Sequence, residues 1–207
     1  MTVGDFIKAC SRAYNDPKRV LINGQEWLEI LNFQSGELFP EIAYEQTVTE
    51  KISDLGTEYQ LDLSSYTFEQ VKEVFVEDNN GNKYPYDNWV YWSSQQILDL
   101  DPETSRTPSI SIGSYKNVMV ILQGPLPEDT RTSTTINLSL PKLNILKKVC
   151  VREALLRTLN DHAKLDRYRI LTGRMNEYAL MAMIRDLTTT IELEKRKLTD
   201  TKQVFAF

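Results

Sequence analysis

The chain has 207 residues, 41% of them hydrophobic, 26% charged and 10% aromatic, with a formal net charge of −5. That length suits one compact domain or a core with one sizeable insertion, enough to bury roughly 70% of the surface the unfolded chain exposes. Eight glycines and eight prolines exclude a collagenous or low-complexity chain, and no apolar run approaches the roughly 18 to 20 residues of a membrane span.

The N-terminal stretch Met1 to Asn15 contains Asp5 and lacks an apolar run with a small-residue cleavage site, so it does not read as a secretory signal. A soluble, intracellular protein with no membrane partner is the expectation. Val3, Phe6, Ile7, Cys10 and Tyr14 have the spacing of an amphipathic helix. Thr2 and Asp5 resemble a capping box at its start, and Asp16-Pro17 ends it, because proline disfavours helical geometry in the residue before it. A second helix is expected from Asn23, with Glu26 at its third position, Trp27, Leu28, Leu31 and Leu38 on one side, and Pro40 at its end.

From Ala43 to Leu140 the period changes to two. Tyr44, Gln46, Val48 and Glu50 begin one strand, and Tyr59, Leu61 and Leu63 alternate in another. Val71 to Glu77 and Lys83 to Trp92 flank a turn whose Asn80-Gly81 supplies positive φ angles, which predicts a hairpin. Ile110 to Ile112 and Val118 to Leu122 flank Gly113 to Asn117 as a second hairpin, and Thr130 to Thr135 reads as a polar, flexible connection. Five or six strands are expected.

The helical period returns after Pro141. Leu146, Val149, Cys150, Leu156, Leu159 and Ala163 predict a helix over about 142–162. A longer one is expected over about 165–198, with Gly173 marking a close contact or bend. Its stripe runs Tyr168, Leu171, Met175, Tyr178 and Ala182, then shifts to Leu180, Ile184, Leu187, Ile191 and Leu198. Core packing accounts for each of these residues, and the shift suggests that the far half meets different neighbours. Thr199 to Phe207 read as leaving the helix, polar first and then Val-Phe-Ala-Phe. An exposed phenylalanine forgoes roughly 150 to 250 Å² of burial unless it docks. The fold class is therefore α+β. A helical core is expected over 1–42 and 141–198, a β-rich insertion over 43–140, and an extended docking tail over 199–207.

Little in the chain points to catalysis, a metal or a cofactor. Cys10 and Cys150 each sit in an apolar helical stripe, as small hydrophobes do, and without a Cys-x-x-Cys a thiolate metal site is not expected. The single histidine, His162, falls where a helix is expected to close, and suits a helix-dipole contact. No Gly-x-Ser-x-Gly elbow, Walker loop or Gly-x-Gly-x-x-Gly is present, and the acidic pairs, such as Glu128-Asp129, lack ligand spacing. Charge is uneven: residues 1–142 hold 11 Lys/Arg against 21 Asp/Glu, and residues 143–207 hold 13 against 8. The basic side chains are spread round helices, which disfavours a duplex-reading surface.

Asp16-Pro17, then Trp27-Leu28-Glu29-Ile30-Leu31-Asn32, then Gln34 to Pro40 resembles the opening of phage head-to-tail connector (adaptor) proteins. There a short helix and an Asp-Pro turn precede a helix with an aromatic residue and a Leu-x-x-Leu-Asn. Leu138-Ser139-Leu140-Pro141, then Val149 to Leu159 and Asp166 to Met175 with Arg167, Arg169 and Arg174, is similar to their final helix pair. A β-rich insertion between the pairs is similar to that of the tail tubular adaptors of short-tailed phages.

The resemblance implies a structural virion protein without cofactor or enzymatic activity, sited at the head–tail junction and assembled in the host cytoplasm. It implies a homo-oligomeric ring of twelve copies that joins the portal protein to a downstream tail or nozzle protein, extends the DNA channel and touches packaged DNA only passively. It also implies that Gln203, Val204, Phe205 and Phe207 form a portal-docking interface. Many tethered copies then act together through effective concentration, and a ring uses heterologous contacts that close on rotation. Two other readings stand beside it. One is a soluble ligand- or glycan-binding module of a phage tail using Tyr84, Tyr86, Trp89, Tyr91 and Trp92; the other is a hydrolase with carboxylates from separate loops.

Overall fold

A computed structural model of the chain describes residues 1–102, 112–126, 131–173 and 176–204, with side chains to residue 198. It is an α+β protein in two compact units. One unit comprises Met1–Tyr44 and the described chain from Pro125 onward; the other is Glu45–Gly124. No helix among the described residues is long and apolar enough to cross a membrane.

In the helical unit, α1 (Val3–Ala13) starts where the Thr2 hydroxyl accepts the Asp5 amide, and it buries Val3, Phe6, Ile7 and Cys10. It ends four residues before Pro17, because Asn15 turns to a left-handed φ of 65°. The buried Asp16 then organises the turn: its carboxylate accepts the amides of Val20, Leu21 and Ile22. Asn23 and Glu26 form a full capping box on α2 (Gly24–Glu37), which buries Trp27, Ile30 and Leu31.

The returning chain belongs to this unit too, so the β-rich stretch closes at Gly124 and not near residue 140. Leu126 and Ile136 are buried in the helical core. The expected loose connection is tied down wherever it is described: the carbonyls of Thr132 and Thr134 accept the amides of Gly4 and Val3, and Ile136 donates to Met1. Threonine side chains suit such an extended, bridged segment, and Thr2 pairs with Thr135. Thr130 lies outside the described residues.

Helix α3 (Leu140–Leu159) buries Leu146, Val149, Cys150, Ala154 and Leu155. The expected long helix is two. The Asp161 side chain caps α4 (His162–Leu171), so His162 opens a helix rather than closing one. Gly173 then adopts a φ of 73°, a left-handed conformation that ends helices. The Asn176 side chain accepts the Ala179 amide at the start of α5 (Glu177–Val204). The stripe shifts face because it belongs to two helices. Helix α5 also runs through Thr199–Val204, contrary to the tail expected there, because that segment holds no glycine or proline to stop it.

The second unit holds two antiparallel sheets around one apolar core. The larger orders β1 (Tyr44–Lys51), β7 (Asn117–Gly124), β3 (Gln70–Glu77) and β4 (Lys83–Pro85) as β1-β7-β3-β4. Strands β3 and β4 form the expected hairpin, with Gly81 at φ 85°. Val74 and Val76 face Val120 and Val118 across β3 and β7, and all four are buried. The smaller sheet orders β2 (Gln60–Asp62), β6 (Ile97–Asp99) and β5 (Val90–Trp92) as β2-β6-β5.

Two strand expectations change. The stretch Lys83 to Trp92 divides between the two sheets, since Pro85 has no amide to extend a ladder. The second hairpin is not formed as expected: β7 pairs with β3, and Ile112 lies in a 3₁₀ turn. Ile110 and Ser111 lie outside the described residues.

Candidate functional site

The residues assigned to docking sit at the end of α5. Gln203 and Val204 belong to its last turn by backbone, while their side chains, and all of Phe205 and Phe207, lie outside the described residues. The 28 residues of α5 span about 42 Å at the usual helical rise. Leu180, Met183, Ile184, Leu187, Ile191 and Leu198 pack it on the helical core. Two ion pairs hold its far half, Lys148–Glu194 from α3 and Lys195–Glu41 from the segment after α2. From Leu198 the helix carries the chain about 9 Å further to Val204.

The second expected stripe packs on the core, and so does Tyr168 of the first, but Leu171, Tyr178 and Ala182 of the first are exposed and Met175 lies outside the described residues. On α4, Arg167, Ile170 and Leu171 are exposed, Ile170 to 80%. On α5, Tyr178 is 83% exposed, in line with exposed Met181 and Arg185 at helical spacing. The five residues between these helices separate the stripes. Arg167 and Arg185 have no ion-pair partner among the described residues. Gly173 was the available signal; read as a close contact or bend within one helix, it left the change of face as a change of core partner.

A second surface lies on the smaller sheet. Asp62, Ile97 and Trp92 stand opposite one another across β2, β6 and β5, as do Gln60, Asp99 and Val90. Opposed residues, and those two apart, share a face. That face therefore presents Val90, Trp92 and Ile97 among Asp62 and Asp99, while Leu61 and Leu98 turn to the core. Trp92 is 50% exposed, and the three strands contain no Lys or Arg. The Ser64 amide, then its hydroxyl, holds the Asp62 carboxyl below its ordinary range.

Of the other aromatic candidates, Tyr86 is buried and donates to the Leu100 carbonyl at 2.6 Å. Tyr91 stacks at a tilt on Phe68, with ring centroids 5.3 Å apart, and Trp89 packs on the sheet core. Tyr84 is exposed and reaches Asp78. The five aromatics do not form one cradle.

Cys10 and Cys150 are buried. Burial first, and Cys10 second, push the Cys150 thiol well above its usual range, the reverse of an activated thiolate. His162 is exposed at the start of α4, and Glu128 and Asp129 lie outside the described residues. Among the described residues no three His, Cys, Asp or Glu side chains gather as metal ligands.

The units carry opposite charge balances, 13 Asp/Glu against 5 Lys/Arg over residues 45–124, and 16 against 19 over the rest. The described residues offer an acidic, partly apolar sheet face, exposed apolar residues on α4 and on α5, and a long helix whose sequence turns apolar at its end. No protein-family model matches the chain, and no curated protein matches it.

Proposed function

We propose that this chain is a structural assembly subunit, a head-to-tail adaptor of a tailed phage. Twelve copies form a ring that joins the portal protein to the downstream tail or nozzle protein and extends the DNA channel at the virion neck. The protein acts by packing alone, without catalysis or cofactor, and meets packaged DNA passively.

The observation that carries this reading is α5. Core packing and two ion pairs fix the helix as far as Leu198, and its backbone continues to Val204. A stem of that kind leaves the backbone little entropy to lose as far as Val204, and Gln203, Val204, Phe205 and Phe207 are the residues that dock on the portal. Repeated round a ring, a weak docking segment becomes a firm attachment. Helical segments from both chain ends that share one core, with the β unit inserted between them in the chain, support the resemblance to connector proteins.

Mixing the full chain with the portal ring of the same phage and weighing the product by native mass spectrometry tests the proposal. A gain of about twelve copies per portal ring is expected. Deleting Val204 to Phe207 is expected to leave the melting temperature unchanged and abolish the gain. No gain with the folded full chain and an intact portal overturns the adaptor reading; an undiminished gain after the deletion overturns the docking role of the C-terminal residues.

A further inference from the structure

We infer that a cavity in the β unit, beside its two 3₁₀ turns, binds a nucleoside monophosphate, with the phosphate on Lys51 and Lys116 and the base against the rings of Tyr59 and Tyr115. The site lies wholly within Glu45–Gly124 and does not rest on the adaptor reading.

The cavity measures about 340 Å³ and adjoins the turns Ile52–Asp54 and Ile112–Ser114. That volume falls in the range of small-ligand pockets. The Ile52 amide donates to the Lys116 carbonyl at 3.0 Å, which sets the backbones of Lys51 and Lys116 side by side. Ile52 and Ile112 anchor the two turns in the core. Gly56, at φ 72°, and Tyr59, at φ 50°, also line the cavity. A bulky residue keeps a left-handed conformation only where its surroundings impose it, and such strain gathers at ligand sites. Here the Leu100 amide holds Tyr59 by donating to its carbonyl at 3.2 Å.

The charge pattern selects an anion. The unit has only five Lys/Arg against 13 Asp/Glu, yet two of the five line this one cavity. Neither lysine has an ion-pair partner among the described residues, whereas Lys72 is paired with Glu45 and Glu73. No carboxylate lines the cavity among the described residues. Asp54 and Glu58 belong to the same segment, but neither forms part of the wall, and Asp54 accepts the Ser53 hydroxyl.

The aromatic walls narrow the class further. Tyr59 and Tyr115 pack in part on the sheet core, and neither phenol has a hydrogen-bond partner among the described residues. Ammonium groups take phosphate as point charges, and cations beside aromatic rings bind nucleotides with the base stacked on a ring. Duplex DNA hides its base faces in its own stack. A cavity of this size takes one nucleotide, free or at the end of a strand.

The test titrates the isotope-labelled full chain with adenosine monophosphate, adenosine, inorganic phosphate and an oligoadenylate with a terminal phosphate. The mononucleotide is expected to shift the amide signals of Gly56, Tyr59 and Lys116, with a Kd on the order of 1 mM or tighter. Adenosine and inorganic phosphate are each expected to bind about tenfold more weakly, because each lacks one of the two contacts. Lys51→Ala/Lys116→Ala and Tyr59→Gly are each expected to weaken the mononucleotide about tenfold. Glycine tolerates the left-handed backbone at residue 59, and melting curves establish that both variants fold. An oligoadenylate that binds like the mononucleotide assigns the site to free nucleotides, and one that binds more tightly assigns it to strand ends; both uphold the inference.

Amide signals that do not move with the mononucleotide overturn it. So does inorganic phosphate that binds as tightly as the mononucleotide, which marks an adventitious ion only. A folded variant of either kind that binds like the parent overturns it as well. Attachment to the portal is read separately, by the mass of the complex, and none of these outcomes bears on it.

Discussion

The hydroxyl of Tyr14 donates a hydrogen bond to that of Thr158, 144 residues later, and both side chains are buried. The direction follows from the single proton on Thr158, which is given to the Ala154 carbonyl at 2.9 Å, so Tyr14 must supply the other. Tyr14 also meets Trp27 edge-on, at 5.8 Å between ring centroids, and Tyr168 at 5.1 Å. Four helices thus converge on one side chain: α1 through its C-cap, α2 through Trp27, α3 through Thr158 and α4 through Tyr168.

Removing the acceptor is expected to cost more than removing the donor. Thr158→Val keeps the side-chain shape but strands a buried phenol, a loss of about 1–3 kcal/mol. Tyr14→Phe leaves Thr158 bonded to Ala154 and loses only the net bond, about 0.5–1.5 kcal/mol. Urea denaturation of the two variants decides the order; a reversed order refutes the assigned direction.

Alkaline pH is expected to destabilise the fold. Burial, above all, raises the phenol pKa of Tyr14, and likewise those of Tyr86 and Tyr168. The folded state therefore keeps protons that the unfolded chain sheds above its ordinary pKa of about 10. Stability from these groups is complete below about pH 10 and falls as pH rises above it, by up to about 1.4 kcal/mol per pH unit for each tyrosine. Urea midpoints measured across that range check the fall, and Tyr14→Phe is expected to make it shallower.

Asp16 is the most exacting polar position in the helical unit. Its buried carboxylate takes amides at 3.0, 2.7 and 3.4 Å. Asp16→Ala leaves buried donors without partners, at about 1–3 kcal/mol for each that water cannot reach. Asp16→Asn retains one acceptor oxygen and is expected to fall between Ala and the parent in chemical denaturation. Equal midpoints for all three proteins would remove the capping role.

Two glycines are expected to respond in opposite directions. A Cβ on Gly124 would lie 3.0 Å from the Phe68 Cα and 3.2 Å from the Glu69 amide nitrogen, both backbone atoms. Gly124→Ala therefore forces the backbones apart, at about 1–3 kcal/mol. Gly36, inside α2, meets nothing within 4 Å, so Gly36→Ala is expected to be neutral or to stabilise by up to about 1 kcal/mol. Thermal melts of both variants check the contrast.

Where period and punctuation coincided, the sequence was readable. Thr2 with Asp5 and Asn23 with Glu26 cap α1 and α2 as their spacing predicts, and Asn80-Gly81 turns the β3–β4 hairpin. The division of α4 from α5 was harder, because a lone glycine is compatible with a continuous helix at modest cost; Asn176 acting as a cap tips the balance. The pairing of β7 with β3 skips over three intervening strands, and local pattern cannot encode which strands meet at that separation. The stripe residues Leu171 and Tyr178 misled for a related reason: apolar residues at helical spacing show that a face exists, and not whether it is covered within the chain. The sheet face around Trp92 depends on register across three strands, visible only once they are paired.

The discontinuous helical unit sets an order of events during synthesis. Helix α1 buries Phe6, Ile7 and Cys10 in a core completed by Leu146, Cys150 and Leu155, so its partners emerge some 140 residues after it does. At about 5 to 20 residues per second, translation leaves that apolar face waiting roughly 7 to 28 s. The residues made in the interval, Glu45–Gly124, form a contiguous unit with its own core and need nothing from α3 onward to close. The first helices thus emerge with an apolar face that only the last third of the chain can finish covering.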